Sequence, residues 1–371
     1  MNKAGKADLN PIKKGASSHF KEGRTKGLPD FLKVDLRRIR PFHDTTRYGY
    51  AVGRIRVLEM QMLNAQRMER LIDADFDGAL YILAEMAMGD YLEGARTTKD
   101  VDKGLTAFLR DVYTSVAESL PKDSFIMDFF LCRYDFHNLK ALLKARMEGG
   151  EPQGLLEGMG LQGIDILIKG LDSPGALPSP YKETVEGLVE KEATPQELDT
   201  LVEKHYLDYR LFLARREDSP YIIDFARTSI DLANLKLVIR ARLLSKEREF
   251  LEASIVKGGF VPATNLLDLY GEPPEIMAKK LETNIYYSKL LEIAESPDEL
   301  ARMTDFDRKS DDQLMDVVRG TRRVSVGVEP VFAYLRAREN EVLLVRMILI
   351  AKLHNIPPAA IERTLRKLYI E

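Results

Sequence analysis

The sequence predicts an all-α fold, and three observations predict it. Apolar residues recur at the 3.6-residue helical period along most of the chain. Alternating β-branched runs joined by hairpin turns are hard to find. One helical stretch, with its own pattern of acids and bases, occurs three times.

Residues 1–45 stand apart as a basic extension, expected to be flexible. Residues 1–40 carry 11 Lys/Arg against 4 Asp/Glu, so a chain of net charge −3 hides a tail of +7 and a remainder of −10. Punctuated by Gly and Pro and poor in large apolar residues, the tail cannot bury enough surface to offset its chain entropy. Aromatic residues are not interleaved with its bases, which argues against nucleic-acid stacking. A solvated tail is expected, with contact to anionic lipid or a partner as the alternative.

The first helix is read over 48–72, where Tyr48, Val52, Ile55, Leu58 and Met62 share a face and Arg54, Arg56, Glu59 and Arg67 fall largely between them. Similar amphipathic patterns follow at 77–92, 103–120, 197–217, 276–296 and 312–319. With 45% apolar residues the chain can bury a sizeable core. No run approaches the roughly 18 apolar residues of a membrane span, and the first residues lack a signal peptide's apolar run, so a cytoplasmic location is expected. The single cysteine, Cys132, excludes an internal disulfide and reads as a packed thiol.

The repeat carries most information. Ser124 to Arg146, SFIMDFFLCRYDFHNLKALLKAR, aligns without gaps on Pro220 to Arg242, PYIIDFARTSIDLANLKLVIRAR. A weaker third copy, PVFAYLRARENEVLLVRMILIAK, spans Pro330 to Lys352. An acid opens the second half of each copy (Asp135, Asp231, Glu341) and a base stands five residues later (Lys140, Lys236, Arg346). Alanine and a further base close it, at Arg146, Arg242 and Lys352. Acid and base at i,i+5 make a poor intrahelical pair, so these side chains are expected to reach neighbouring helices as structural contacts rather than catalytic groups. Gly149–Gly150, Gly258–Gly259 and Asn355 mark breaks after the copies. Three helical domains are expected near 46–150, 151–259 and 260–371.

The segments YGYAVGRIRVLEMQML, RYDFHNLKALLKAR, IDLANLKLVIRAR and ENEVLLVRMILIAKLHNIPPAAIERTLRKLYIE stand in an order that resembles the C subunit of archaeal and bacterial V/A-type ATPases, which is similar to the eukaryotic d subunit. The likeness covers about 46–371. It implies three homologous domains around a pseudo-threefold axis, in a funnel that rests on the cytoplasmic face of the membrane rotor ring (c/K/L-type subunits). Its implied partners are the D and F shaft subunits, which enter a socket, and that ring. It further implies a central-stalk rotor part that passes torque between ATP chemistry and proton or sodium transport, without binding nucleotide. The resemblance names no partner-binding residues and leaves the tail without a role.

The residues themselves point to no chemistry, and no cofactor or metal is expected. Gly158, Gly160 and Gly163 match GxGxxG, but no buried strand precedes them, and eight glycines crowd 149–175. There is no GxxxxGK[ST] phosphate loop and no GxSxG elbow. The five histidines lack the spacing of a zinc site. Two acidic clusters, Asp73, Asp75 and Asp77 and then Asp311, Asp312 and Asp316, support the alternative of an all-helical Mg²⁺-dependent prenyl-transfer enzyme. The bland reading places the first in a turn and the second at a helix start, where acids favour the dipole. A generic helical-repeat adaptor is the remaining alternative.

Overall fold

The computed structural model describes residues 46–370 apart from 153, 190–193, 273–275 and 277–298. The basic extension lies outside these residues, as does the pattern read at 276–296 but for Ile276. Among the described residues there are fifteen α-helices and no strands. Helices α1 (Gly49–Glu59), α2 (Ala65–Asp73), α3 (Phe76–Ala84), α4 (Gly89–Leu92) and α5 (Thr98–Ala117) precede the first repeat helix, α6 (Ile126–Glu148). Then α7 (Ile164–Asp172), α8 (Tyr181–Val189) and α9 (Pro195–Glu217) lead to the second, α10 (Pro220–Leu243). Finally α11 (Arg248–Ser254), α12 (Ala263–Tyr270) and α13 (Glu299–Arg319) lead to the third, α14 (Glu329–Leu353), which α15 (Pro358–Thr364) follows.

Local signals set the ends of the long helices. Thr97 and Asp100 at the start of α5, and Thr194 and Glu197 at the start of α9, form reciprocal capping boxes that satisfy otherwise free amides. Ser219 caps α10 with Pro220 at its first position, where a missing N–H costs nothing. Gly149, at φ +67°, ends α6 in a left-handed turn that a side chain would strain. The Gly258–Gly259 pair plays no such part, since α10 ends at Leu243 and α11 intervenes.

The helix read over 48–72 is two helices. Asn64 accepts from Arg67 N–H and starts α2 afresh, while the N–H of Leu63 leaves the helical path to reach Glu341 at 2.6 Å. Counted along one helix, the buried Met68, Leu71 and Ile72 of α2 would fall nearly opposite the face set by Ala51, Val52 and Ile55, so the chain must break between them.

The six long helices follow one another in a cycle of contacts. α14 packs on α5 and α13, α10 on α13 and α9, and α9 on α6. Aromatic contacts close the cycle, with Tyr113 of α5 lying 6.3 Å from Phe130 and 6.4 Å from Tyr134 of α6.

Two of the three repeat helices divide their burial in two, while α14 stays in one core along its length. The first halves of α6 and α10 join α14 in one shared core, around Phe332, whose ring lies 4.8 Å from Phe225 and 5.5 Å from Phe129. Ile126, Ile222 and Phe332, equivalent in the repeat alignment, are all fully buried there. Burying such a side chain contributes about 1.5–3 kcal/mol. The second halves of α6 and α10 leave this core for two separate ones. Phe136, Leu139 and Leu142 pack with Leu167 and Tyr181, whereas Leu232, Leu235 and Val238 pack with Leu266 and Phe306. Both helices change partners at the repeat acid, Asp135 or Asp231.

Candidate functional site

The repeat acids bind backbone rather than bases. Asp135 accepts from the N–H groups of Leu161 and Gln162, both at 3.0 Å, and from the Tyr181 hydroxyl at 2.7 Å. Burial raises its pKa, and these three donors oppose the rise. Asp231 accepts from Phe260 N–H at 2.9 Å and Val261 N–H at 3.1 Å. Glu341 takes Leu63 N–H and the Arg338 guanidinium.

The bases five residues on pair with one acid on each long neighbouring helix. Lys140 lies 3.9 Å from Asp199 of α9, Lys236 lies 2.6 Å from Asp307 of α13, and Arg346 lies 2.9 Å from Asp102 of α5. The closing bases each meet main-chain carbonyls at the end of a short helix, where a cation also suits the helix dipole. Arg146 donates to Leu171 O at 2.8 Å, Arg242 to Glu272 O, and Lys352 to Ile72 O at 2.8 Å and to Ala74 O. Thus α6 is tied to α7, α10 to α12, and α14 to α2 from the opposite end of the chain. All nine repeat residues hold helices together, and none meets another in a reactive pair.

Glycine at the first two acids has a physical cause. A Cβ on Gly160 would fall on the Asp135 carboxylate, and one on Gly259 on that of Asp231. The middle glycine of GMGLQG therefore serves a close backbone approach to an acid of this chain. Asn138 and Asn234 add a paired exchange with the main chain of Glu157 and of Val256, every bond at 2.8–2.9 Å.

The remaining motifs are also accounted for by local contacts. Asp75 caps α3 through Gly78 N–H at 2.8 Å, and Asp77 pairs with Arg96 at 2.6 Å. Asp311, Asp312 and Asp316 lie well inside α13 rather than at its start. They face bases: Arg366 stands 3.3 Å from Asp311, Arg308 3.8 Å from Asp312, and Lys367 2.7 Å from Asp316. His137 meets Leu155 O at 2.9 Å. Cys132 is fully buried, its thiol pushed up to about 12 by that burial.

A cavity of about 440 Å³ lies inside the cycle of long helices. Its lining includes Arg133, Ser229 and Glu339, which are equivalent positions of the three repeat helices, and Thr106, Glu203 and Asp311 of α5, α9 and α13. The last three are also equivalent, four residues beyond the acids that pair the repeat bases. Much of the wall's charge is internally satisfied. Arg133 lies 3.0 Å and Arg336 3.2 Å from Glu339, Tyr113 donates to that carboxylate at 2.6 Å, and Arg336 lies 3.6 Å from Asp311. Burial pushes Glu339 up, but the two arginines and the Tyr113 hydroxyl outweigh it and hold the carboxyl below its ordinary range. Glu203 is open to the cavity, yet the surrounding protein raises its carboxyl above that range. Sequence reasoning missed this wall, because Arg133, Ser229 and Glu339 differ in chemistry from copy to copy and Asp311 reads only as part of an acidic cluster.

Among the described residues, no group of three or more His, Cys, Asp or Glu is placed to hold a metal ion, and no helix is long and apolar enough to cross a membrane. Comparison with known proteins gives the family. The family model described as "ATP synthase (C/AC39) subunit" matches residues 51–364. The chain belongs to this family, the C subunits of V/A-type ATPases. Similar relatives include the C subunit of the V-type sodium ATPase of Enterococcus hirae, 23% identical over 85% of this chain and 97% of the relative. The C subunit of the A-type ATP synthase of Methanocaldococcus jannaschii is 23% identical over 87% of each chain. That of Thermococcus kodakarensis is 23% identical over 81% of this chain and 85% of the relative. This family is also related to the eukaryotic d subunit.

Proposed function

We propose that the chain is a non-catalytic coupling piece of the rotor, seated between the D and F shaft subunits and the membrane ring on the cytoplasmic face. Three helical domains in a pseudo-threefold funnel are part of the proposal. Their boundaries are placed near 150 and 259, although α6 closes on α7 and α10 on α12 beyond those positions, and α14 on α2 from the start of the chain. The observation that carries the reading is the placement of Arg133, Ser229 and Glu339, one from each repeat, on a single cavity. Two repeat helices that leave the shared core for private ones, beside a third that stays in it, leave a recess between them. Such a recess suits a shaft tip, and a body of interlocked helices suits the transfer of torque.

The reading is tested by reconstitution. An ATPase complex assembled without this chain is expected to hydrolyse ATP while driving no ion transport, and addition of the chain is expected to restore the link. A complex that couples fully in its absence would overturn the proposal.

A further inference from the structure

The three units are alike, so a shaft tip entering their common cavity meets three similar seats. Orientation then depends on how the walls differ, and they differ most at α9. Glu203 and Arg210 lie seven residues apart on this helix, hence on one face and about 10 Å apart along it. Both line the cavity. The positions equivalent to Glu203 are Thr106, which is uncharged, and Asp311, which is held by Arg336 and Arg366. Those equivalent to Arg210 are Tyr113, which donates to Glu339, and Val318.

Neither Glu203 nor Arg210 makes an ion pair among the described residues. The Arg210 guanidinium rests 4.1 Å over the Phe129 ring, and its buried Nε lacks a hydrogen-bond partner. The pair also has a direction. α9 runs antiparallel to α6, with Lys144 2.7 Å from Asp199 at one end and Phe125 N–H donating to Glu217 at the other. Arg210 is therefore deep, against the shared core. Glu203 lies away from it, where the main cavity meets two smaller ones of about 300 and 310 Å³. Glu157, also without an ion partner, lines the main cavity and one of these, and adds negative charge there.

We infer that α9 is the rotational key of the socket. Arg210 receives a carboxylate at the very tip of the shaft, and Glu203 receives a cation about 10 Å behind it. One of the three similar seats is thereby selected. The inference rests on the cavity being the shaft's seat, as proposed above. A partner of this chemistry settles both unpaired charges in one orientation, and a turn of one unit offers its acid no such base, since the equivalent Tyr113 and Val318 are buried.

The test is binding of the full chain to the purified D–F shaft at low and high salt. Glu203→Gln with Arg210→Gln is expected to weaken binding at least tenfold and to flatten its salt dependence, with the thermal midpoint unchanged. Equal affinity and equal salt dependence would overturn the key. If the wild-type chain itself fails to bind the shaft, the reading of the cavity falls instead. A second measurement holds should the double variant misfold: Glu203→Cys bearing a photo-crosslinker, with buried Cys132 out of reach of the reagent. One crosslinked position on the shaft is expected. Several positions around the shaft, crosslinks to the ring or to a second copy of the chain, or none at all would overturn the key.

Discussion

In the first two repeat units a helix closes onto residues that follow it, whereas in the third it closes onto residues that open the chain. The chemistry changes with the connection. Asp135 and Asp231 approach a glycine backbone, and Asn138 and Asn234 clasp the loop beside it. On α14 the acid is Glu341, one methylene longer. Gln61 stands in the place of glycine, and Leu344 in the place of asparagine. The longer acid reaches the Leu63 N–H, while the Gln61 side chain is exposed. The lost clasp is offset by Arg338, whose side chain is 1% exposed and ion-paired to Glu341. One fastening thus has two solutions, the first resting on backbone hydrogen bonds and the second on a buried ion pair.

The largest test of this contrast is Glu341→Gln. It leaves Arg338 buried without its counter-charge and is expected to cost about 3–5 kcal/mol in denaturant unfolding. Asp135→Asn removes an acceptor but strands no cation, so a cost of about 1.5–3 kcal/mol is expected. Equal losses would erase the distinction. Gly160→Ala, which drives a methyl into the Asp135 carboxylate, is expected to cost about 1–3 kcal/mol, while Gln61→Gly stays within about 1 kcal/mol. Thermal unfolding of the two variants side by side decides it. Asn138→Leu copies the third repeat into the first and strands the buried main chain of Glu157, for about 2 kcal/mol. A neutral result there would show that the clasp is dispensable.

The smallest expected effect is in pH, and the repeats differ in its sign. Asp135 is raised by burial, so protonating it as pH falls through its folded pKa relieves a penalty and adds stability. Glu339 on α14 is lowered, so its contribution is complete above the ordinary carboxylate range near 4.5 and is lost as pH falls through its folded value. Denaturant stability from about pH 7 to about pH 3 is expected to rise slightly before it falls. Glu339→Gln is expected to flatten the falling limb.

The all-helical class and the repeat helices were legible, because a helical period and charged residues at fixed positions survive in all three copies. The partners of those charges were not. Arg146, Arg242 and Lys352 end on carbonyl oxygens, which any residue supplies, and α2, α7 and α12 share little beyond a buried stripe. The partner at the Leu63 break, Glu341, was out of sight for a similar reason, although the shift of the apolar face between Ile55 and Met68 could have marked the break itself. Glu203 and Arg210 read as ordinary solvent-facing residues of a helix. Only the cycle of helices turns that face inward.

The tie between Leu63 and Glu341 spans 278 positions, and Lys352 reaches back 280 to Ile72. During synthesis the leading segment is made first and waits for the helix that completes it, while the two middle units have their own partners soon after each is made. A chain cut short before α14 therefore keeps the private cores of α6 and α10, while the opening segment and the core around Phe332 stay uncovered. Synthesis of α14 is what closes the molecule, and the cavity, part of whose wall α14 supplies, is complete only once that helix is made.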